Sequence, residues 1–201
     1  MINIVGLGPG SREYITPIAT KIIESSNIVI GAKRNLESVK DICVNTLDLS
    51  VGFSKIAEYL VEHKLEDIAL VVSGDSGFYS MLSFVKRNID REFINVIPGI
   101  SSLQYFYSRL KLGYETSSWL SLHGRENDIT PYINEKKEIG LLTDKEQNSQ
   151  YIASLFQDKE GVKIYIGENL SYPEEKISCL TVDEAKEYKS ADLSVVVVRY
   201  E

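Results

Sequence analysis

The sequence predicts two α/β domains, an N-terminal one on a mainly parallel sheet and a C-terminal one on a mixed sheet. Strand and helix signals alternate through the first half of the 201-residue chain, which is the pattern of a parallel sheet with helices on its faces. In the second half strand signals dominate, and the last of them follow one another over short connections suited to antiparallel pairing. Between the halves, Lys111-Leu112-Gly113-Tyr114-Glu115 reads as a linker, so the expected domains are residues 1–113 and 114–201.

Each element has its own signal. Residues 2–7 form a short apolar run suited to a buried parallel strand. Thr16-Pro17 is a helix start, with Thr16 as N-cap and Pro17 at the first helical position, and the helix runs to about Ser25. Residues 28–30 read as the second strand and 44–47 as a weaker third. Residues 51–63 form an amphipathic helix, with Phe53, Ile56, Ala57, Leu60 and Val61 on one face. Strands at 68–72 and 93–97 and helices at 78–87 and 100–110 complete the first half. Strand-like runs then lie at 119–122, 138–142, 162–166, 177–182 and 193–200, with one long helix among them, roughly 149–157.

Composition narrows the function. The chain is 43% hydrophobic and 25% charged, enough for a sizeable core and unlike a disordered chain. Its net charge of −7 argues against a general nucleic-acid or membrane-surface role, though not against a local basic pocket. Cys43 and Cys179 lack metal-ligand spacing and read as reduced structural thiols. No apolar run is long enough to span a membrane, and no secretory signal opens the chain, so the expected compartment is the cytoplasm.

In a parallel α/β sheet, ligands bind beyond the carboxyl ends of the strands. Three glycine-bearing loops take that position: residues 6–10, 73–77 and 98–102. A dinucleotide site would need G-x-G-x-x-G and an acidic residue after the second strand. Here the glycines are Gly6, Gly8 and Gly10, and the second strand leads into Gly31-Ala32-Lys33-Arg34 with no carboxylate. A P-loop would need Gly-Lys-Ser/Thr, which is absent. Taken alone, Gly8-Pro9-Gly10 is also compatible with a tight turn that binds nothing.

Together the loops are more specific. Gly6-Leu7-Gly8-Pro9-Gly10, Ser73-Gly74-Asp75 and Pro98-Gly99-Ile100-Ser101-Ser102, in this order and spacing, resemble the tetrapyrrole (class III) methylases. Within that family the chain is most similar to the cobalt-precorrin-7 C5-methyltransferases of cobalamin (vitamin B12) biosynthesis. The stretches that carry this are Gly31-Ala32-Lys33-Arg34-Asn35-Leu36, Ser121-Leu122-His123-Gly124-Arg125, Leu141-Leu142-Thr143-Asp144 and Gly167-Glu168-Asn169-Leu170-Ser171-Tyr172-Pro173. One residue departs from the pattern: Ser76 stands where the family usually has proline, so the fixed φ of proline is lost and a more mobile loop is expected.

The resemblance implies an active site in the cleft between the domains and S-adenosylmethionine as methyl donor, without a protein-bound metal. Pro9, Gly74, Asp75, Phe78, Ser101, Ser102 and Leu142 would contact the donor, Asp75 through its side chain or its backbone. Gly8 and Gly10 would shape the wall beside the macrocycle. The substrate is a ring rimmed by carboxylates, for which Arg34 and Arg125 are the leading partners and Lys33 and Arg12 the next. His123 is a proton acceptor, a substrate contact or a structural residue. The resemblance also implies a homodimer and, as a partner, a C15-methylating decarboxylase. The competing readings are methylation of another precorrin carbon and a non-catalytic subunit that scaffolds that decarboxylase.

Overall fold

The computed structural model describes residues 1–124 and 127–201. It divides into two compact units, Met1–Ser101 and Ser102–Glu201.

The first unit holds five strands, β1 (Ile2–Gly6), β2 (Ile28–Gly31), β3 (Thr46–Asp48), β4 (Ile68–Val72) and β5 (Ile94–Ile97), in the order β3-β2-β4-β1-β5. Every pairing is parallel. The central strands β1 and β4 are buried along their whole length, which explains their unbroken apolar runs. The helices are α1 (Pro17–Ser25), α2 (Lys33–Val39), α3 (Phe53–Glu62) and α4 (Leu82–Asn88). The expected cap of α1 is present: the Thr16 hydroxyl accepts a hydrogen bond from the Ala19 N–H at 3.3 Å.

Three expectations need adjusting. The buried stripe of α3 is narrow: Ile56 and Leu60 are fully buried, but Phe53 and Val61 are exposed. The third strand starts at Thr46, and Val44 lies in solvent. The helix expected from Phe78 starts only at Leu82, because Tyr79 has φ 48°, outside the helical region.

In the second unit, α5 (Ser102–Leu110) precedes β6 (Ser118–Ser121), α6 (Thr130–Asn134), β7 (Ile139–Leu142), α7 (Ser149–Leu155), β8 (Val162–Glu168), β9 (Lys176–Leu180), α8 (Val182–Glu187) and β10 (Ser194–Tyr200). The sheet order is β6-β7-β10-β8-β9, with β6 and β7 parallel and the other pairs antiparallel. This is the expected mixed sheet. Two short helices, α6 and α8, were not expected. The signal for α8 is Thr181 and Glu184, which form a reciprocal capping box.

Packing places the division between units before α5, whereas the sequence suggests residue 113. Glycines on the second sheet account for this. A Cβ at Gly140 would lie 3.1 Å from Leu103, and one at Gly167 would lie 2.8 Å from the Phe106 ring. These bare positions let α5 sit close against β7 and β8, so the helix joins the second core.

Candidate active site

In the first unit, the loops after β1, β4 and β5 meet backbone to backbone. Gly8 N–H donates to the Gly74 carbonyl at 3.1 Å, and Gly74 N–H returns a bond to the Gly8 carbonyl at 2.8 Å. Gly8 and Gly74 have φ 85° and 68°, a region that favours glycine. A Cβ at Gly6 would lie 2.6 Å from the Gly99 nitrogen, and one at Gly99 would lie 2.3 Å from the Gly74 oxygen. No side chain fits there.

Two side chains lock this arrangement. Asp75 accepts from Gly77 N–H at 2.9 Å through Oδ1 and from Gly99 N–H at 3.1 Å through Oδ2. Ser76 is fully buried, and its hydroxyl donates to the Ile97 carbonyl at 2.8 Å. The serine therefore ties its loop to the end of β5 by a bond that proline could not make. Beside the loops, Arg34 on α2 donates to the Ser73 hydroxyl at 3.1 Å, and Ser73 donates to Asn35 Oδ1 at 2.8 Å.

The second unit gathers three loops at the carboxyl ends of β6, β7 and β8, which all run the same way. Ser121 pairs in register with Leu142, and Leu122 N–H donates to the Leu142 carbonyl at 2.8 Å. His123 Nδ1 lies 3.1 Å from the Thr143 carbonyl oxygen. Asp144 accepts from Gly124 N–H at 2.9 Å, and from Glu146 and Gln147 N–H at 2.9 and 2.7 Å. These N–H bonds, that of Gly124 foremost, hold the Asp144 carboxyl below the usual carboxylate range. At the end of β8, buried Glu168 accepts from the Tyr188 hydroxyl and from Ala191 N–H. Glu175 takes three donors: the Tyr105 hydroxyl at 2.6 Å, Ser171 N–H at 2.7 Å and Arg109 Nε at 2.8 Å.

A bare glycine junction closed by a carboxylate thus joins the three motif loops, and comparison with known proteins names the family. Residues 1–186 match the family described as Tetrapyrrole (Corrin/Porphyrin) Methylases. The chain belongs to this family. This tetrapyrrole methylase is 33% identical, over 98% of its own length and 96% of the relative's, to a probable cobalt-precorrin-7 C(5)-methyltransferase of Methanocaldococcus jannaschii. It is 27% identical to the cobalt-precorrin-7 C(5)-methyltransferase of Salmonella typhimurium, over 90% and 91% of the two chains. Its fold matches that of a uroporphyrin-III C-methyl transferase from Thermus thermophilus complexed with S-adenyl homocysteine, with a TM-score of 0.81 at 16% identity over 98% and 96% of the chains.

The sequence-derived candidates fall into groups. Gly8, Pro9, Gly10, Gly74 and Asp75 belong to the junction of the first two loops, with Gly99 completing it. Phe78 follows, half-buried, its ring edge-on to Tyr79 at 4.8 Å. Ser101 is buried at the end of the first unit and Ser102 begins α5. Leu142 and His123 come together across the β6–β7 pair. Arg34 reaches the second loop, but Arg12 pairs with Asp41 at 2.6 Å instead. Lys33 is exposed at the start of α2. Arg125 lies outside the described residues. Among the described residues no cluster of three or more His, Cys, Asp or Glu could hold a metal, and no helix is long and apolar enough to cross a membrane.

The Ser76 clamp, the Gly6–Gly99 contact and the Glu175 hub escaped sequence reasoning. Gly6 and Gly99 at strand ends were a usable signal for close approach. The other two depend on contacts between distant residues.

Proposed function

We propose that this tetrapyrrole methylase transfers a methyl group from S-adenosylmethionine to C5 of cobalt-precorrin-7, giving cobalt-precorrin-8 in cobalamin biosynthesis. The observation that carries the reading is the 33% identity to a relative of that name over nearly the full length of both chains. Relatives named for C17 methylation align with only about half of this chain, which favours C5 over another precorrin carbon.

The donor fits the first unit. The glycine junction leaves main-chain atoms unscreened by side chains, as suits a ligand held mainly by backbone groups. When bound, S-adenosylmethionine supplies an electrophilic methyl on a good, neutral leaving group. The protein's task is then alignment, because the acceptor carbon must sit about 3–3.5 Å from the methyl and in line with it. Pro9, Gly74, Phe78, Ser101, Ser102 and Leu142 serve as donor contacts in this reading. Asp75 serves by fixing two loops through its paired N–H bonds. Gly8 and Gly10 keep the wall beside the macrocycle free of bulk. Arg34, with Arg125, binds ring carboxylates. Ser73 leaves most of Arg34's donors available for that purpose.

The enzyme acts as a cytoplasmic homodimer in this reading, with a separate C15-methylating decarboxylase as its partner in the pathway. The test is incubation of purified protein with S-adenosylmethionine and cobalt-precorrin-7, with NMR assignment of the methylated carbon. A new methyl at C5 is the expected result. A methyl at another carbon, or none, overturns the reading.

A further inference from the structure

Transfer of a methyl cation equivalent to a carbon leaves a proton to be disposed of. The π pair of the macrocycle forms the new C–C bond, and sulfur departs with the pair of the broken S–CH3 bond as a neutral thioether. The positive charge thereby passes to the macrocycle, which returns to its original charge by releasing one proton. A group in the site that accepts this proton raises the rate, typically by a factor of about 10²–10⁴.

The structure assigns that role to Nε2 of His123, an inference that rests on the methylase function proposed above. A carbonyl oxygen can only accept, so the 3.1 Å contact with Thr143 requires the proton on Nδ1. In the neutral ring Nε2 then carries a lone pair. Among the described residues nothing meets Nε2, and the residue is exposed.

The support around the ring is specific. His123 N–H donates to Ser121 Oγ at 3.3 Å, the next N–H is held by Asp144, and Thr143 is anchored through its hydroxyl to the Ser194 carbonyl at 2.7 Å. Leu122 bonds to Leu142, so the ring stands one residue from the strand pair that carries a proposed donor contact. Other carboxylates at this end are poor acceptors. Asp144 is stabilised as an anion by three N–H bonds, and Glu168 is buried with both oxygens engaged. Asp144 is also a charged group close enough to His123 to interact with it electrostatically.

Two measurements test the assignment. Ring ¹⁵N shifts of His123 in the ligand-free protein should show the Nδ1–H tautomer, and a dominant Nε2–H tautomer overturns the inference. In the methylation assay, His123→Gln should lower kcat on the order of a hundredfold, with little change in KM, and should alter the pH profile of kcat relative to wild type. Retained kcat with an unchanged pH profile refutes the role of His123 alone, whereas a wild type that yields no C5 product refutes the function on which it rests.

Discussion

Asp75 and Gly99 are 24 residues apart, yet the carboxylate of one accepts the backbone N–H of the other at 3.1 Å. The same carboxylate holds Gly77 N–H at 2.9 Å. One side chain thus sets both the internal turn of the second loop and its distance from the third.

Asp75→Ala removes both bonds and should loosen the junction without unfolding the protein. Affinity for S-adenosylhomocysteine, read by calorimetry, should fall by no more than roughly ten- to a hundredfold, the upper bound set by what a hydrogen bond to a charged group contributes to holding the loops in place, about 1.5–3 kcal/mol. Asp75→Asn keeps one acceptor oxygen and should fall between Ala and wild type. Equal affinities in all three would mean that the loop holds its shape without the carboxylate.

Gly99→Ala should be the most damaging single methyl in the first unit. Its Cβ would lie 2.3 Å from the Gly74 oxygen and 2.8 Å from Gly6, all backbone that cannot swing aside. Overpacking of this kind typically costs about 1–3 kcal/mol. Gly77→Ala is the matched control, because its Cβ would meet only Asp75 Oδ1, at 3.2 Å. Urea denaturation of the two variants compares them directly, and equal midpoints would show that the loops separate easily.

What was legible in the sequence were features written in neighbouring residues. Thr16-Pro17 announces α1, and the apolar runs announce β1 and β4, because a cap and a buried strand are local devices. The capping box Thr181–Glu184 was equally local, yet the apolar residues just before it masked the start of α8. The late start of α4 follows from the positive φ of Tyr79, a conformation its residue type does not signal. In the candidate site the motif residues were readable and their partners were not. Nothing beside Ser76 in the chain points to the Ile97 carbonyl 21 residues on. Likewise nothing beside Arg12 or Arg34 in the chain shows that Asp41 pairs with the first while Ser73 takes only one donor of the second.

That difference yields a prediction for the macrocycle. Arg34→Ala should raise KM for the tetrapyrrole substrate and leave S-adenosylhomocysteine affinity unchanged, the pattern of lost uniform substrate binding. Arg12→Ala should do neither, because its guanidinium is committed to Asp41 at 2.6 Å. Steady-state kinetics on both variants separates them. A higher KM in Arg12→Ala with none in Arg34→Ala would place the anionic rim of the substrate elsewhere.

Glu175 offers a test of the second unit that depends on pH. Burial alone would raise its carboxyl, but the Tyr105 hydroxyl, Ser171 N–H and Arg109 together hold it below the ordinary glutamate value. A depressed folded-state value means that the stabilisation is fully present above the unfolded value, about 4.3, and is lost as pH falls through the folded value. Glu175→Gln keeps the shape but loses the charge, and it weakens two bonds that tie α5 to the turn after β8 and a third within that turn. The buried Tyr105 hydroxyl makes the loss costly, about 1–3 kcal/mol at neutral pH. The gap between wild type and variant should therefore be widest near neutrality and close below about pH 4, which melting curves across the acid range would show. A gap that stays constant with pH would mean that Glu175 acts through its shape rather than its charge.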